Sequence, residues 1–255
     1  MLVVISPAKR LDWGLVPGVA AREPEFAGEA AALAGVARGL SEAALAGLMD
    51  LSPALARLNV ARFRAFADVP GAEAVRPAAF AFAGDTYAGL EARSLSEDAL
   101  RWAEGHLRIL SGLYGLLGPL DGIQPYRLEM GSRLANPRGR DLYAWWGDRI
   151  ARALNAAAEA AGTGWVVNCA SREYFGAVDL GVLVPEVVTP VFLEDRPGGP
   201  KVVSFYAKKA RGAMARFVME ARLAAPEDLC GFDAGGYAHA PELSAPGRPV
   251  FLRRG

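Results

Sequence analysis

The sequence is poor in the residues that usually announce chemistry. It has two cysteines, Cys169 and Cys230, and two histidines, His106 and His239, in 255 residues. Two thiols build neither a disulfide framework nor a four-ligand zinc site, and a reducing cytoplasm is the expected setting. No apolar run reaches the 18 to 20 residues needed to span a bilayer. The opening MLVVISPAKR places its cations after a short apolar stretch, the reverse of an export signal, so neither a membrane nor a secretory route is expected. Charge of one sign is also lacking: Lys and Arg number 28, Asp and Glu 28, so any polyanion must be met by a local patch. The phosphate loop GxxxxGK[ST], GxGxxG, GxSxG, HExxH and CxxC are all missing. No cofactor is implied, and no metal site either.

What is present is a foldable mixture. Hydrophobic residues make up 52% and charged residues 22%, the balance of a globular chain. Short β-branched runs bounded by turn residues predict strands over 2–6, 78–83, 165–168, 187–193, 202–206 and 249–252. Between them lie helix signals. Ser41 caps a helix running to Met49, Ser52-Pro53 opens the next, and Ser96-Glu97-Asp98 opens another with acids at its positive end. Further helices are expected over 28–38, 142–161 and 207–223. The interspersed order predicts a mixed α/β class, and the absence of a repeat or linker predicts one domain over 1–255.

Four segments are more polar than a core or a plain surface requires. Ser6-Pro-Ala-Lys9 leaves the first strand at its carboxyl end, a common place for ligand sites. Segment 109–131 carries five glycines among Tyr114, Gln124, Tyr126, Arg127 and Glu129. It reads either as a site or as a tightly turned connection in which Arg127 and Glu129 pair. Segment 168–175 sets Asn168, Ser171, Glu173 and Tyr174 at a strand end, able to hold a small anion or base, or to cap a helix through Ser171. From 201 to 222 there are six basic residues and one acid, a local +5 in a neutral chain. Lys208, Lys209 and Arg211 open that helix, where cations are poorly placed unless an anion joins them.

Residues 45–63 read as helix, tight turn and helix, resembling a helix-hairpin-helix over about 41–66 with Arg57 and Arg62 on the second helix. Such a turn offers backbone N–H groups to a phosphate without reading sequence. Here Asp50 and Ser52 stand where the pattern usually has glycines, and a plain helical hairpin fits the residues as well.

The segments ISPAK at 5–9, LSGLYGLL and PYRLEMG within 110–131, NCASREYF at 168–175 and SFYAKKARG at 204–212 together resemble the YaaA family, in order and across nearly the whole chain. Arg10 departs from the threonine that usually follows the lysine. The resemblance implies a cytoplasmic bacterial protein of peroxide stress that limits unincorporated iron and oxidative DNA damage, with the mixed α/β architecture called a cantaloupe fold. It also implies duplex DNA bound through a helix-hairpin-helix and a positive cleft, which carries DNA-binding roles onto Ser52, Arg57, Arg62, Lys208, Lys209 and Arg211. The residues themselves leave a second reading open: an enzyme on a small anionic or nucleobase-like substrate. Its cleft would be lined by Ser6, Lys9, Tyr114, Tyr126, Arg127, Glu129, Asn168, Ser171, Glu173 and Tyr174, with Lys9, Arg127, Glu129 and Lys209 as catalytic candidates.

Overall fold

The computed structural model describes residues 1–16 and 18–254. Its centre is β1 (Leu2–Ile5), whose four residues LVVI are all buried. An unbroken apolar strand of this kind must be covered on both faces, and it is. β1 pairs in parallel with β2 (Leu107–Ser111) on one side and with β4 (Trp165–Cys169) on the other. β3 (Gly115–Leu117) turns back antiparallel on β2, and β5 (Glu186–Val188) adds in parallel to β4, giving the order β3-β2-β1-β4-β5. A smaller sheet, β6 (Val191–Glu194), β7 (Tyr237–His239) and β8 (Val250–Arg253), has β8 in the middle. The class is mixed α/β, and one apolar cluster runs through the main sheet and the helices around it.

The α-helices of five or more residues are α1 (Ala27–Arg38), α2 (Glu42–Met49), α3 (Pro53–Ala65), α4 (Asp85–Leu90), α5 (Glu97–His106), α6 (Leu142–Trp146), α7 (Arg149–Ala160) and α8 (Ser204–Ala221). Their caps follow the sequence signals: the oxygens of Ser41, Ser52 and Ser96 accept the N–H groups of Ala44, Leu55 and Ala99. Among the described residues no single helix is long and apolar enough to cross a membrane.

Four sequence expectations are corrected. Residues 78–83 do not form one strand: Ala78–Ala81 is a buried helical turn, and only Phe82–Ala83 is extended, against Arg10–Leu11. Three alanines in four residues offer no β-branched surface to a sheet. Residues 202–206 are not a strand either, because α8 begins at Ser204, three residues earlier than expected. The helix expected over 142–161 breaks at Gly147, which adopts φ 51°, into α6 and α7. The strand expected over 187–193 is split at Thr189-Pro190 between the two sheets, since proline has no N–H for a ladder. β3 and the last three residues of β2, by contrast, lie inside 109–131, a stretch read only as a site or a tightly turned connection.

α8 runs antiparallel to β1. Its carboxyl end is tied to the strand's start, where the Met1 amino group donates to Leu223 O at 2.9 Å. Its other end reaches the strands' carboxyl edge, and it meets α4 backbone to backbone at Gly89 and Gly212.

Candidate functional site

Sheet order locates the site. The chain passes from β1 to β2 on one side and then crosses to β4 on the other, so the carboxyl ends of β1 and β4 flank a switch in strand order, where open α/β sheets bind ligands. Ile5 and Cys169 are register partners, so the segments after them emerge side by side. The Ser6 hydroxyl oxygen accepts the Ser171 N–H at 2.8 Å, joining residues 165 apart in sequence.

A charged cluster closes over this edge. Glu129 Oε1 receives Lys9 Nζ at 3.1 Å, Arg127 Nε at 3.0 Å and Arg127 Nη2 at 2.9 Å. Arg127 and Glu129 are 14% and 18% exposed at the side chain, whereas Lys9 is 61% exposed, so the pair forms the floor and the lysine the rim. No hydrogen bond reaches Oε2 of Glu129 among the described residues. Arg127 and Glu129 do pair, as the structural reading of that segment requires, yet they pair inside a shared cluster.

The remaining candidates divide into those that build the edge and those turned away from it. Glu173 Oε1 accepts the Gly131 N–H at 2.9 Å, and the Ser171 hydroxyl oxygen caps the turn Arg172–Phe175 by accepting from Tyr174. Burial holds the Tyr174 phenol well above the usual tyrosine range, helped by the neighbouring phenol of Tyr126 and the carboxylates of Glu173 and Glu129. Asn168 is committed to structure: its Oδ1 accepts the Ala170 N–H and its Nδ2 donates to Thr189 Oγ1. Tyr126 is buried with its hydroxyl 2.6 Å from Ser111 Oγ, and burial raises its pKa. Tyr114 is not brought to the cleft. Its hydroxyl accepts the Gln124 N–H at 3.0 Å, and it lines a separate cavity with Phe66 and Gln124.

α8 brings Arg211 to the edge. Lys208 and Lys209 are exposed and Arg211 is half-buried. Burial pushes the Cys169 thiol up to about 12, and the nearby Arg211 charge opposes that rise, which places the guanidinium beside the end of β4. The thiol is therefore protonated and inert at neutral pH. Sequence reasoning missed Tyr87 on α4, whose hydroxyl donates to Ser6 O at 3.1 Å and holds the exit of β1. Its one local signal was the Gly84 and Gly89 pair around it, which permits close packing.

The hairpin lies on other elements. α2 and α3 are joined through Asp50, which adopts φ 49°, the left-handed conformation a glycine serves in this motif. The Ser52 hydroxyl is occupied as a helix cap, Arg57 pairs with Glu42 at 3.4 Å, and Arg62 is half-buried, its pKa lowered by burial. No group of three or more His, Cys, Asp or Glu side chains is placed to hold a metal ion among the described residues.

Comparison with known proteins agrees over the whole chain. A UPF0246 protein of Ruegeria pomeroyi is 61% identical over 253 residues, covering 99% of this chain and 98% of its own. UPF0246 proteins of Jannaschia sp. and Dinoroseobacter shibae are 60% and 62% identical over 253 residues, covering 99% of this chain and 97% and 95% of their own. The family model described as peroxide stress protein YaaA matches residues 1–243, and the chain belongs to that family.

Proposed function

We propose that the protein serves peroxide defence by binding duplex DNA, taking the phosphate backbone on the amino-terminal half of α8 at the mouth of the sheet-edge cleft. The sorting of charge along α8 carries this reading. Towards its carboxyl end the cations are spent: Arg216 pairs with Glu220 at 2.8 Å and Glu91 at 3.7 Å, and Arg222 pairs with Asp98. Lys201, Lys208, Lys209 and Arg211, before and within the first half, have no ion pair among the described residues. Lys208, Lys209 and Arg211 fall in the second turn of α8, past the first turn where the macrodipole acts, and oppose one another there, Lys208 and Arg211 as an i,i+3 pair of like charges. A phosphate run removes that conflict, and releases counterions as it binds. The hairpin contributes less in this reading, because Arg57 is engaged with Glu42 and Asp50 sets a negative charge at the turn. Contacts of this kind carry no sequence readout, which suits protection of DNA at large. We place the limiting of damage by unincorporated iron in the same role, with no iron ligand assigned to this chain.

A second reading is favoured by one observation. The closest contacts of Lys9 and Arg127 to Glu129 all fall on Oε1, and no hydrogen bond reaches Oε2 among the described residues. Such a carboxylate oxygen next to cations suits a ligand with an N–H or acidic proton and an anionic group, which is the enzyme reading with Lys9, Arg127, Glu129, Ser171 and Lys209. Glu129→Gln separates the two. It keeps the shape and removes a charge that repels phosphate, so the DNA reading expects duplex binding as tight or tighter and peroxide protection retained. Loss of protection in a variant with unchanged melting temperature and DNA affinity would replace it with the enzyme reading.

A further inference from the structure

Cys230 is exposed at the end of the 3-10 helix Pro226–Gly231, away from the sheet-edge cleft, and its Sγ lies 3.7 Å from Nε2 of His239 on β7. The bonding around Ser244 fixes what that nitrogen carries. The Ser244 hydroxyl donates its one proton to Ala240 O at 2.8 Å, and its oxygen accepts the Val250 N–H at 2.9 Å. The same oxygen is 3.2 Å from His239 Nε2. With its proton spent, the hydroxyl meets the ring nitrogen only as an acceptor, so Nε2 bears a hydrogen. That N–H also faces Cys230, and the sulfur enters the contact as acceptor.

The arrangement is held and open. Phe251 packs against the imidazole at 5.7 Å between centroids and is its register partner across β7 and β8. Sulfur and imidazole both line a cavity of about 540 Å³ walled by Trp165, Glu186 and Glu227. Cys169 is the internal contrast, a thiol of the same chain sealed in β4.

We propose that Cys230 is a peroxide-reacting thiol, oxidised to a sulfenic acid in the cavity with the His239 N–H supporting the sulfur. The sulfur attacks one oxygen of hydrogen peroxide, the S–O bond forms as the O–O bond breaks, and the thiol proton ends on the departing hydroxide as water. Sulfur loses two electrons and peroxide gains them. A small cytosolic-type thiol then condenses with the sulfenic acid, releasing water and leaving a mixed disulfide that a second thiol reduces.

The test treats the full chain with limiting hydrogen peroxide at pH 7 in the presence of dimedone and locates the adduct by mass spectrometry. The adduct is expected on Cys230 and not on Cys169, forming on the order of tenfold faster than on free cysteine under the same conditions. His239→Phe keeps a ring against Phe251 and removes the N–H; it is expected to bring the rate down to that of free cysteine, with the melting temperature measured alongside. A wild-type rate no greater than that of free cysteine overturns the proposal whether or not the variant folds. An unchanged rate in a folded His239→Phe overturns it as well.

Discussion

Replacing Gly212 by alanine tests the seam that sets the amino-terminal half of α8 against the sheet edge. A Cβ there would stand 2.7 Å from Thr86 C and 2.8 Å from Leu90 N, and would overlap the Thr86 carbonyl oxygen. All three are backbone atoms of α4 or its neighbourhood and none can rotate aside. Carbon atoms rest about 3.5–4.0 Å apart, so α4 and α8 must separate by on the order of 1 Å. Overpacking costs about 1–3 kcal/mol, and backbone against backbone belongs at the top of that range. Alanine regains about 0.5–1 kcal/mol of helix preference, which leaves a net loss of about 2 kcal/mol. In a domain of this size that lowers the melting temperature by roughly 4–8 °C. Gly35→Ala is the control: Gly35 is exposed on α1 with nothing within 4 Å of a new Cβ, so the same chemical change is expected to raise the melting temperature by about 1–4 °C. Thermal melts of both variants decide the matter. A Gly212→Ala protein as stable as wild type would refute the seam, and destabilisation by Gly35→Ala would show that the substitution, not the contact, is responsible.

Ser6→Ala removes the acceptor of the Ser171 N–H, leaving a part-buried donor unpaired; the expected loss is about 1–3 kcal/mol, read by urea unfolding, and an unchanged midpoint would contradict the role given to that bond. Ser41→Ala and Ser52→Ala each remove a helix cap and are expected to cost about 1 kcal/mol, again by urea unfolding. Burial lowers the pKa of His106, which stacks on Trp102 at 3.6 Å. The unfolded chain therefore takes up the proton first, so this contribution is complete above about pH 6.5 and is lost as pH falls towards the folded value. His106→Phe keeps the stacking, and its melting temperature is expected to fall less steeply than wild type between pH 7 and 5; parallel curves would refute the assignment.

The fold was legible where side chains alone decide it. β1 and β4 are runs of buried valine and its neighbours, and serine caps mark α2, α3 and α5. It was illegible where tertiary context decides. β2, LRILS, has neither alternation nor many β-branched residues and becomes a strand because β1 offers it a parallel edge. The polar segments of the site could be read from the sequence, because strand ends and glycine-rich turns have no core reason to carry Lys9, Glu129 or Ser171. Their partners could not. The Ser6–Ser171 bond, the Tyr87 hydroxyl on Ser6 and the meeting of Lys9 with Glu129 depend on strand order, which no local pattern encodes. The reverse error is Tyr114: its segment reads as polar, but its hydroxyl is needed by the backbone N–H of Gln124 inside the protein.

The central claim, that duplex phosphates bind Lys201 and the three α8 cations Lys208, Lys209 and Arg211, unpaired among the described residues, is tested most directly by the salt dependence of DNA affinity for wild type and for the Lys208→Ala, Lys209→Ala double variant. Four free cations, each meeting one phosphate, predict a slope of log affinity against log salt of about −3.6, falling to about −1.8 in the double variant, with little preference for sequence. No binding at low salt, or the same slope in both proteins, would contradict the account.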